Sequence, residues 1–186
     1  MRITVQQLLR AYPNTNRQRA QEFVEVFNEW SDRFGINTTA RVVHFLSQCW
    51  HESGALRYVE EIASGAQYEG RKDLGNTQPG DGKKFKGRGI IQITGRANYQ
   101  NYAKSGFCVG DLMSHPEWLA QKPGHTKASM WFWWKNNLNA LADQDHGDGA
   151  IGEDVVKKIT KRVNGGYNGL SQRAFFYRRF KKEFGL

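Results

Sequence analysis

Apolar residues recur at helical spacing along most of the chain. Ala20, Phe23, Val24, Phe27 and Trp30 fall three and four residues apart, which predicts a helix over 15–34 stopped by Gly35. Val42, Phe45, Leu46 and Cys49 repeat the pattern and predict a second helix over 38–52, with Asn37 or Thr38 as its cap. After the Gly-rich stretch that follows, helices are expected to return over roughly 96–104, 126–143, 153–163 and 171–184. Trp131, Phe132, Trp133 and Trp134 point all round theirs, the mark of a buried central helix rather than a sugar-stacking platform.

Between Gly65 and Gly89 the pattern breaks. Seven glycines and Pro79 fall within 25 residues, too many for regular structure. This stretch predicts a shaped loop ending in a short buried strand, Gly89-Ile90-Ile91-Gln92-Ile93-Thr94. Loops of that length inside compact domains are usually functional. The chain has no internal repeat, low-complexity tract or linker, and its 186 residues suit one domain. The expectation is a single domain over 1–186, mainly helical, with one long Gly-rich lobe and a small β element.

Composition narrows the classes. With 39% hydrophobic and 13% aromatic residues, the chain is not disordered. Its longest apolar run is the five residues Met130 to Trp134, against roughly 20 for a membrane span. The first residues hold no apolar stretch resembling a signal sequence. The protein is therefore expected in the cytoplasm of the cell that makes it until something else releases it. Cys49 and Cys108 are the two cysteines, too few for a disulfide framework and expected free. Cys49 lies on an apolar stripe and is expected to pack rather than react.

Lys plus Arg number 27 against 18 Asp plus Glu. Nine of those basic residues lie between Lys157 and Lys182, a stretch without an acid, so the remainder balances at 18 against 18. A localised positive field over 153–186 draws polyanions: nucleic acid, anionic lipid, or a cell wall bearing carboxylates and phosphates. Two amphipathic helices with solvated basic faces are the plainer alternative.

The candidate chemistry starts at Glu52. Phe45, Cys49 and Glu52 fall within about 60° of one another on a helix, so this carboxylate sits at the edge of the apolar stripe in the last turn. Partial desolvation and the negative helix end both disfavour its charge, a setting suited to a general acid. An ordinary exposed glutamate at a frayed end is the alternative. Glu61 follows nine residues later with Glu60 beside it. Two carboxyls in different surroundings are the minimum apparatus for glycoside hydrolysis, and Gln92, Thr94 and Asn98 could hold sugar hydroxyls and acetamides.

Other chemistries lack support. A zinc-protease signature at His51-Glu52 would need histidine where Ala55 stands. Asp143, Asp145, His146 and Asp148 lack the glycine of a calcium loop and predict a solvated acidic turn. Gly87-Arg88-Gly89 opens like a dinucleotide loop, but Gln92 takes the place of the third glycine. No cofactor and no metal is expected.

Three runs then carry a resemblance: Gln48-Cys49-Trp50-His51-Glu52-Ser53-Gly54, Gly75-Asn76-Thr77-Gln78-Pro79-Gly80-Asp81-Gly82, and Phe85-Lys86-Gly87-Arg88-Gly89-Ile90-Ile91-Gln92-Ile93-Thr94-Gly95-Arg96-Ala97-Asn98-Tyr99. Val163-Asn164-Gly165-Gly166 and the later Arg173 follow in the same order. Together they resemble glycoside hydrolase family 19, and within it the phage endolysin branch related to plant-type chitinases. The likeness spans roughly 40–179.

The resemblance implies a mainly α (α+β, lysozyme-like) fold with a substrate cleft. It implies that Glu52 is the general acid and Glu61 the base, with Glu60 a competitor and Glu69 a distant third. It places the Ser/Thr that holds the attacking water on Thr94. Substrate and supporting roles fall on His51, Tyr68, Arg88, Gln92, Asn98, Asn164 and Arg173, with an arginine near the carboxylates expected to favour the charged form of the base. Inversion is implied, with a carboxyl separation of roughly 6.5–9.5 Å. The implied substrate is bacterial peptidoglycan or, alternatively, chitin.

The chain departs from the family at Gly54-Ala55-Leu56, where Gly-Gly-aromatic is common. Only about twenty residues separate Glu61 from Asp81, so the helical wall-binding module that endolysins of this group often insert there is reduced or absent. Anchoring to an anionic wall is then expected from the basic C-terminal segment, and a monomer is expected. The rivals are a nucleic-acid-binding module and a catalytically silent wall-binding protein.

Overall fold

The computed structural model describes residues 1–108 and 110–186. The chain divides into two compact units, one made of residues 1–57 and 133–186, the other of residues 58–132.

In the first unit, α1 (Val5–Ala11), α2 (Arg17–Trp30), α3 (Thr39–Glu52), α7 (Leu138–Ala142), α8 (Gly149–Asn164) and α9 (Leu170–Phe184) pack with the last turn of α6 (Gly124–Lys135). Side-chain oxygens of Asn16 and Thr38 accept the Arg19 and Arg41 N–H groups, capping α2 and α3 where the apolar stripes begin. Phe23, Phe27 and Phe45 stack, with Trp133 edge-on to Phe45. Trp50 sits edge-on to Phe23 and Phe180. These rings are fully buried, so α3 runs through the unit with apolar neighbours on several sides. Helix α1 was not foreseen. It offers only Val5, Leu8 and Ala11 as buried positions, too few for periodicity to register, and Thr4 and Gln7 close it with a reciprocal capping box.

Two expected elements are corrected. The helix over 126–143 breaks where Asn137 adopts a left-handed φ of 53°, a conformation asparagine tolerates better than most. Within α6, Trp131 and Trp133 are buried but Trp134 is 48% exposed, so the helix is not buried all round.

The second unit holds α4 (Asp81–Lys84), α5 (Arg96–Ala103), most of α6, and short 3-10 turns at Ala66–Tyr68, Lys72–Leu74 and Pro116–Ala120. The strand expected over 89–94 is a turn closed by an antiparallel bridge between Arg88 and Ile93, with a second bridge between Glu60 and Arg88. The reason lies in where the backbone donors go. The Ile90 N–H reaches the His125 carbonyl and the Ile91 N–H the Ser129 hydroxyl, so the residues are buried against the start of α6 instead of in a ladder.

Carboxylates organise the Gly-rich lobe. Glu69 accepts from the Gly80 N–H at 2.7 Å and the Gly82 N–H at 2.8 Å. Asp81 accepts from the Thr77 and Gln78 N–H groups and pairs with Arg96. A Cβ on Gly82 would lie 2.6 Å from the Glu69 nitrogen, so only glycine fits there.

The cluster Asp143–Asp148, expected as a solvated acidic turn, is instead a tie point of the first unit. Asp143 pairs with Arg41 at 2.6 Å, and Asp148 caps α8 by accepting from Ala150 and Ile151. Asp145 is buried and takes hydrogen bonds from Tyr177 at 2.7 Å and the Gly147 N–H at 2.9 Å, with His44 Nε2 at 2.9 Å. Gly152 permits this, since a Cβ there would lie 1.8 Å from the Tyr177 oxygen. Burial alone would raise the Asp145 carboxyl, but these partners outweigh it and hold it at about 2. Burial pushes the His44 imidazole below its ordinary 6.5, against the pull of Asp145.

Because the folded His44 resists protonation, the unfolded chain binds more protons just below 6.5. Its contribution is full above that value and lost as pH falls toward the folded one. Asp145 adds a further loss between 3.8 and about 2. Thermal midpoints from about pH 8 to about pH 4 should be level above 6.5 and decline below it. His44→Gln should make that decline shallower without abolishing it. Tyr177→Phe should cost about 2 kcal/mol in denaturant titration, the loss of a buried hydrogen bond to a charged group.

Candidate functional site

In the first unit the candidate residues gather at the end of α3. Arg173 on α9 is fully buried. Its guanidinium donates to the Glu52 and Gln48 side-chain oxygens and, at 3.3 Å, to the Asn168 carbonyl. The Glu52 side chain keeps 22% exposure, so one side of the carboxylate stays open. An arginine was expected to serve the base; the structure puts it on the assigned acid. Cys49, one turn earlier, is buried, and burial pushes its thiol well above the usual range, which suits packing. Neither Cys49 nor Cys108 forms a disulfide among the described residues.

His51 lies with Nδ1 2.6 Å from the Gln172 Oε1. Burial, and then the charge of Arg173, push this imidazole below its ordinary value. A Cβ on Gly169 would meet the ring at 2.0 Å, so the loop before α9 closes on His51 only as glycine. Asn164 is the exposed last residue of α8.

The chain leaves α3 through an unusual turn. Gly54, Ala55 and Leu56 all have positive φ, at 57°, 62° and 66°, a region costly for residues with a Cβ. Three contacts hold it. The Ala55 N–H donates to the Trp50 carbonyl at 2.7 Å, the Ser53 hydroxyl donates to the Cys49 carbonyl at 2.6 Å, and the Leu56 N–H donates to that hydroxyl at 2.8 Å. Leu56 is 1% exposed. Burial of its side chain offsets strain that would otherwise loosen the residues after Glu52.

In the second unit the candidates gather around Glu61. One carboxylate oxygen accepts from Gln67 at 2.9 Å and Tyr68 at 3.0 Å, the other from the Gly87 N–H at 3.2 Å. Backbone bonding to Gly87 and the Lys86 amine on the Glu61 carbonyl fix the segment itself. Burial and the bond to Glu61 push the Tyr68 phenol up. A Cβ on Gly87 would lie 2.4 Å from the Gln92 Oε1 and 3.2 Å from the Thr94 Oγ1. Glycine thus lets Gln92 and Thr94 close over the backbone that holds Glu61. Asn98 donates to the Thr94 carbonyl at 2.8 Å.

Glu60 is bound differently, by Arg88 at 2.9 Å and Lys86 at 3.2 Å. Arg88 is 7% exposed and also donates to the Lys84 carbonyl and Tyr99. Its bonds are internal to the unit, so it ties the lobe together instead of reaching outward. Glu69, the distant candidate, is the backbone acceptor of the lobe. Gln67, Gln172 and Gly169 were missed because nothing in their spacing marks them, and Gln48, though part of the first resembling run, was given no role because its partner Arg173 is distant in sequence. No group of three or more His, Cys, Asp or Glu residues suited to a metal occurs among the described residues.

No family model matches the chain. It is 28% identical over 165 residues, 72% of this chain and 75% of the other, to a Haemophilus influenzae protein described as glycosyl hydrolase family 19 domain-containing. It is 34% identical to an Arabidopsis thaliana endochitinase over 89% of this chain and 56% of that one, so it spans little more than half of that plant relative. Chitinase C from Streptomyces griseus has the same fold, with a TM-score of 0.70 and 18% identity over 98% of this chain and 76% of that one. A bacterial family 19 chitinase aligns with a TM-score of 0.69 and 17% identity, over 99% and 95%.

Ala55→Gly should raise stability by about 0.5–1 kcal/mol in chemical denaturation by relieving its left-handed strain. Gly87→Ala should leave the thermal midpoint nearly unchanged, since Gln92 can swing away. It should nevertheless disturb the amide resonances of Gln92 and Thr94 in an NMR spectrum.

Proposed function

We propose that this chain, a homologue of the family 19 glycoside hydrolases, hydrolyses β-1,4 bonds between N-acetylated amino sugars, with Glu52 as general acid and Glu61 as general base. The observation that carries this is the contrast between the two carboxyls. Glu52 is clamped by one buried guanidinium with a side left open, and Glu61 accepts three hydrogen bonds from a lobe built around it. Two carboxyls held in unlike surroundings are the minimum apparatus for glycoside hydrolysis, and the division of acid from base follows the match of Glu52 to the family's His-Glu-Ser motif.

In the proposed reaction Glu52 donates its proton to the leaving glycosidic oxygen as that bond to the anomeric carbon breaks. Glu61 takes a proton from the attacking water, whose oxygen forms the new bond from the other face. Thr94 orients that water. Arg173 then faces the carboxylate that the transfer leaves on Glu52. His51, Tyr68, Gln92, Asn98 and Asn164 contribute to holding the glycan or the groups that touch it. Both units act as one catalytic domain, 1–186.

Bacterial peptidoglycan is the proposed substrate, reached after release from the cytoplasm, and the chain acts as a monomeric endolysin. The localised basic excess supports a wall bearing carboxylates. A chitinase is the second reading, favoured by the names of the plant and bacterial relatives.

Glu52→Gln and Glu61→Gln should each lower turnover of purified peptidoglycan by roughly 10²–10⁴ without loss of fold by circular dichroism. Glu60→Gln should remain active. If Glu60→Gln is the damaging change, the base is Glu60. Labelling the new reducing ends distinguishes N-acetylmuramic acid from N-acetylglucosamine. Turnover of colloidal chitin alone would replace peptidoglycan with chitin as substrate.

A further inference from the structure

The basic C-terminal segment is not one uniform surface. Arg173 is buried on Glu52. Arg178 pairs with Glu153 and Lys158 with Asp154. Lys181 donates to the Gly147 carbonyl and Arg179 to that of Ala11. Arg162 donates to the Asn136 carbonyl, and Lys157 and Lys161 are set apart by sharing one aromatic ring. They stand one turn apart on the exposed face of α8 and, among the described residues, pair with no carboxylate. Their ammonium groups lie 5.5 Å and 6.0 Å from the ring centre of Tyr167, which is 48% exposed.

Like charges four residues apart on a helix repel. The face of Tyr167 attracts both ammoniums and holds them over one ring, leaving two positive charges converging on one point of the surface. An anion placed between them would remove the repulsion that the ring only partly offsets. The position matters as well. Tyr167 lies between the Gly165 that ends α8 and Gly169, which closes on the His51 ring beside Glu52. An anion held here would sit two residues along the chain from the glycine that closes on His51.

We propose that Lys157, Lys161 and Tyr167 form a docking point for the carboxylates of peptidoglycan, on its lactyl groups and stem peptides, and so distinguish that glycan from neutral chitin. This rests on the proposed function, because it takes the polymer at Glu52 to be a glycan. A carboxylate-bearing strand is preferred to nucleic acid because the point is small, two cations on one ring, where duplex binding calls for a line of phosphate contacts.

The test is sedimentation of folded protein with peptidoglycan stripped of phosphate polymers, either native or with its carboxylates amidated by carbodiimide and methylamine. Wild type should bind native wall roughly three- to ten-fold more tightly than amidated wall, as two exposed ion pairs allow. Lys157→Gln/Lys161→Gln should bind both as weakly as wild type binds the amidated form. Arg2→Gln/Arg17→Gln, which removes the same charge from exposed positions outside the basic segment, should keep the preference. Binding to chitin should be equal for all three.

Equal weakening by both double variants would reduce the effect to net charge and overturn the docking point. A preference for native wall that survives in Lys157→Gln/Lys161→Gln would do the same. Displacement of the wild type by a duplex oligonucleotide that does not displace Lys157→Gln/Lys161→Gln would make the point a nucleic-acid site and also overturn it. If the carboxylate preference maps as expected but wild type releases no reducing ends from peptidoglycan, the docking point stands and the hydrolase reading of that substrate fails.

Discussion

The guanidinium of Arg173 is the contact on which the candidate acid depends. It is fully buried on α9 and reaches back to Gln48 and Glu52 on α3, the two helices that pack most extensively in their unit. A buried cation is tolerated only when its donors are matched. Here the matching groups sit one helical turn apart, so α3 must present that face to α9. Packing of the aromatic core and placement of the Glu52 carboxylate are then one requirement. The strained exit through Ala55 and Leu56 follows, because the chain must turn away directly after the carboxylate while burying Leu56.

Glu61 is positioned by a different means. Its lobe has little regular structure, and carboxylates take the place of a ladder. Glu69 and Asp81 gather backbone N–H groups that no helix or sheet satisfies, and Arg88 joins Glu60, the Lys84 carbonyl and Tyr99. Glycine is needed at Gly82 because backbone atoms approach there too closely for a Cβ, and at Gly87 it leaves room for the side chains of Gln92 and Thr94. The density of glycine in this stretch therefore reflects close approach as well as turning, and the close approach is what lets Gln92 and Thr94 reach the neighbourhood of Glu61.

Legibility in the sequence followed the strength of local signals. Helices α2, α3, α8 and α9 were visible because each carries a long apolar stripe with a cap or a glycine stop. Helix α1 was too short for a stripe to show, and the break at Asn137 was hidden because the apolar pattern continues across it. Ile90, Ile91 and Ile93 were rightly expected to be buried. Their conformation was not, since an apolar run is compatible with any structure that buries it, and their backbone partners lie on α6, far along the chain. The acidic cluster around Asp145 misled for a similar reason: nothing local shows that His44 and Tyr177 converge on it.

By itself the sequence determined most of the long helical segments, where the irregular lobe lies, and which two glutamates stand in family-like surroundings, because periodicity, capping and turn chemistry act over a few residues. Only the tertiary structure decided which distant partner each charged group met. It put Arg173 on Glu52, tied Arg88 into the lobe, buried Asp145, and left Lys157 and Lys161 over Tyr167. Helical periodicity specifies the face a side chain occupies, whereas its partner is set by which elements pack against that face, and that choice is made by the whole core at once.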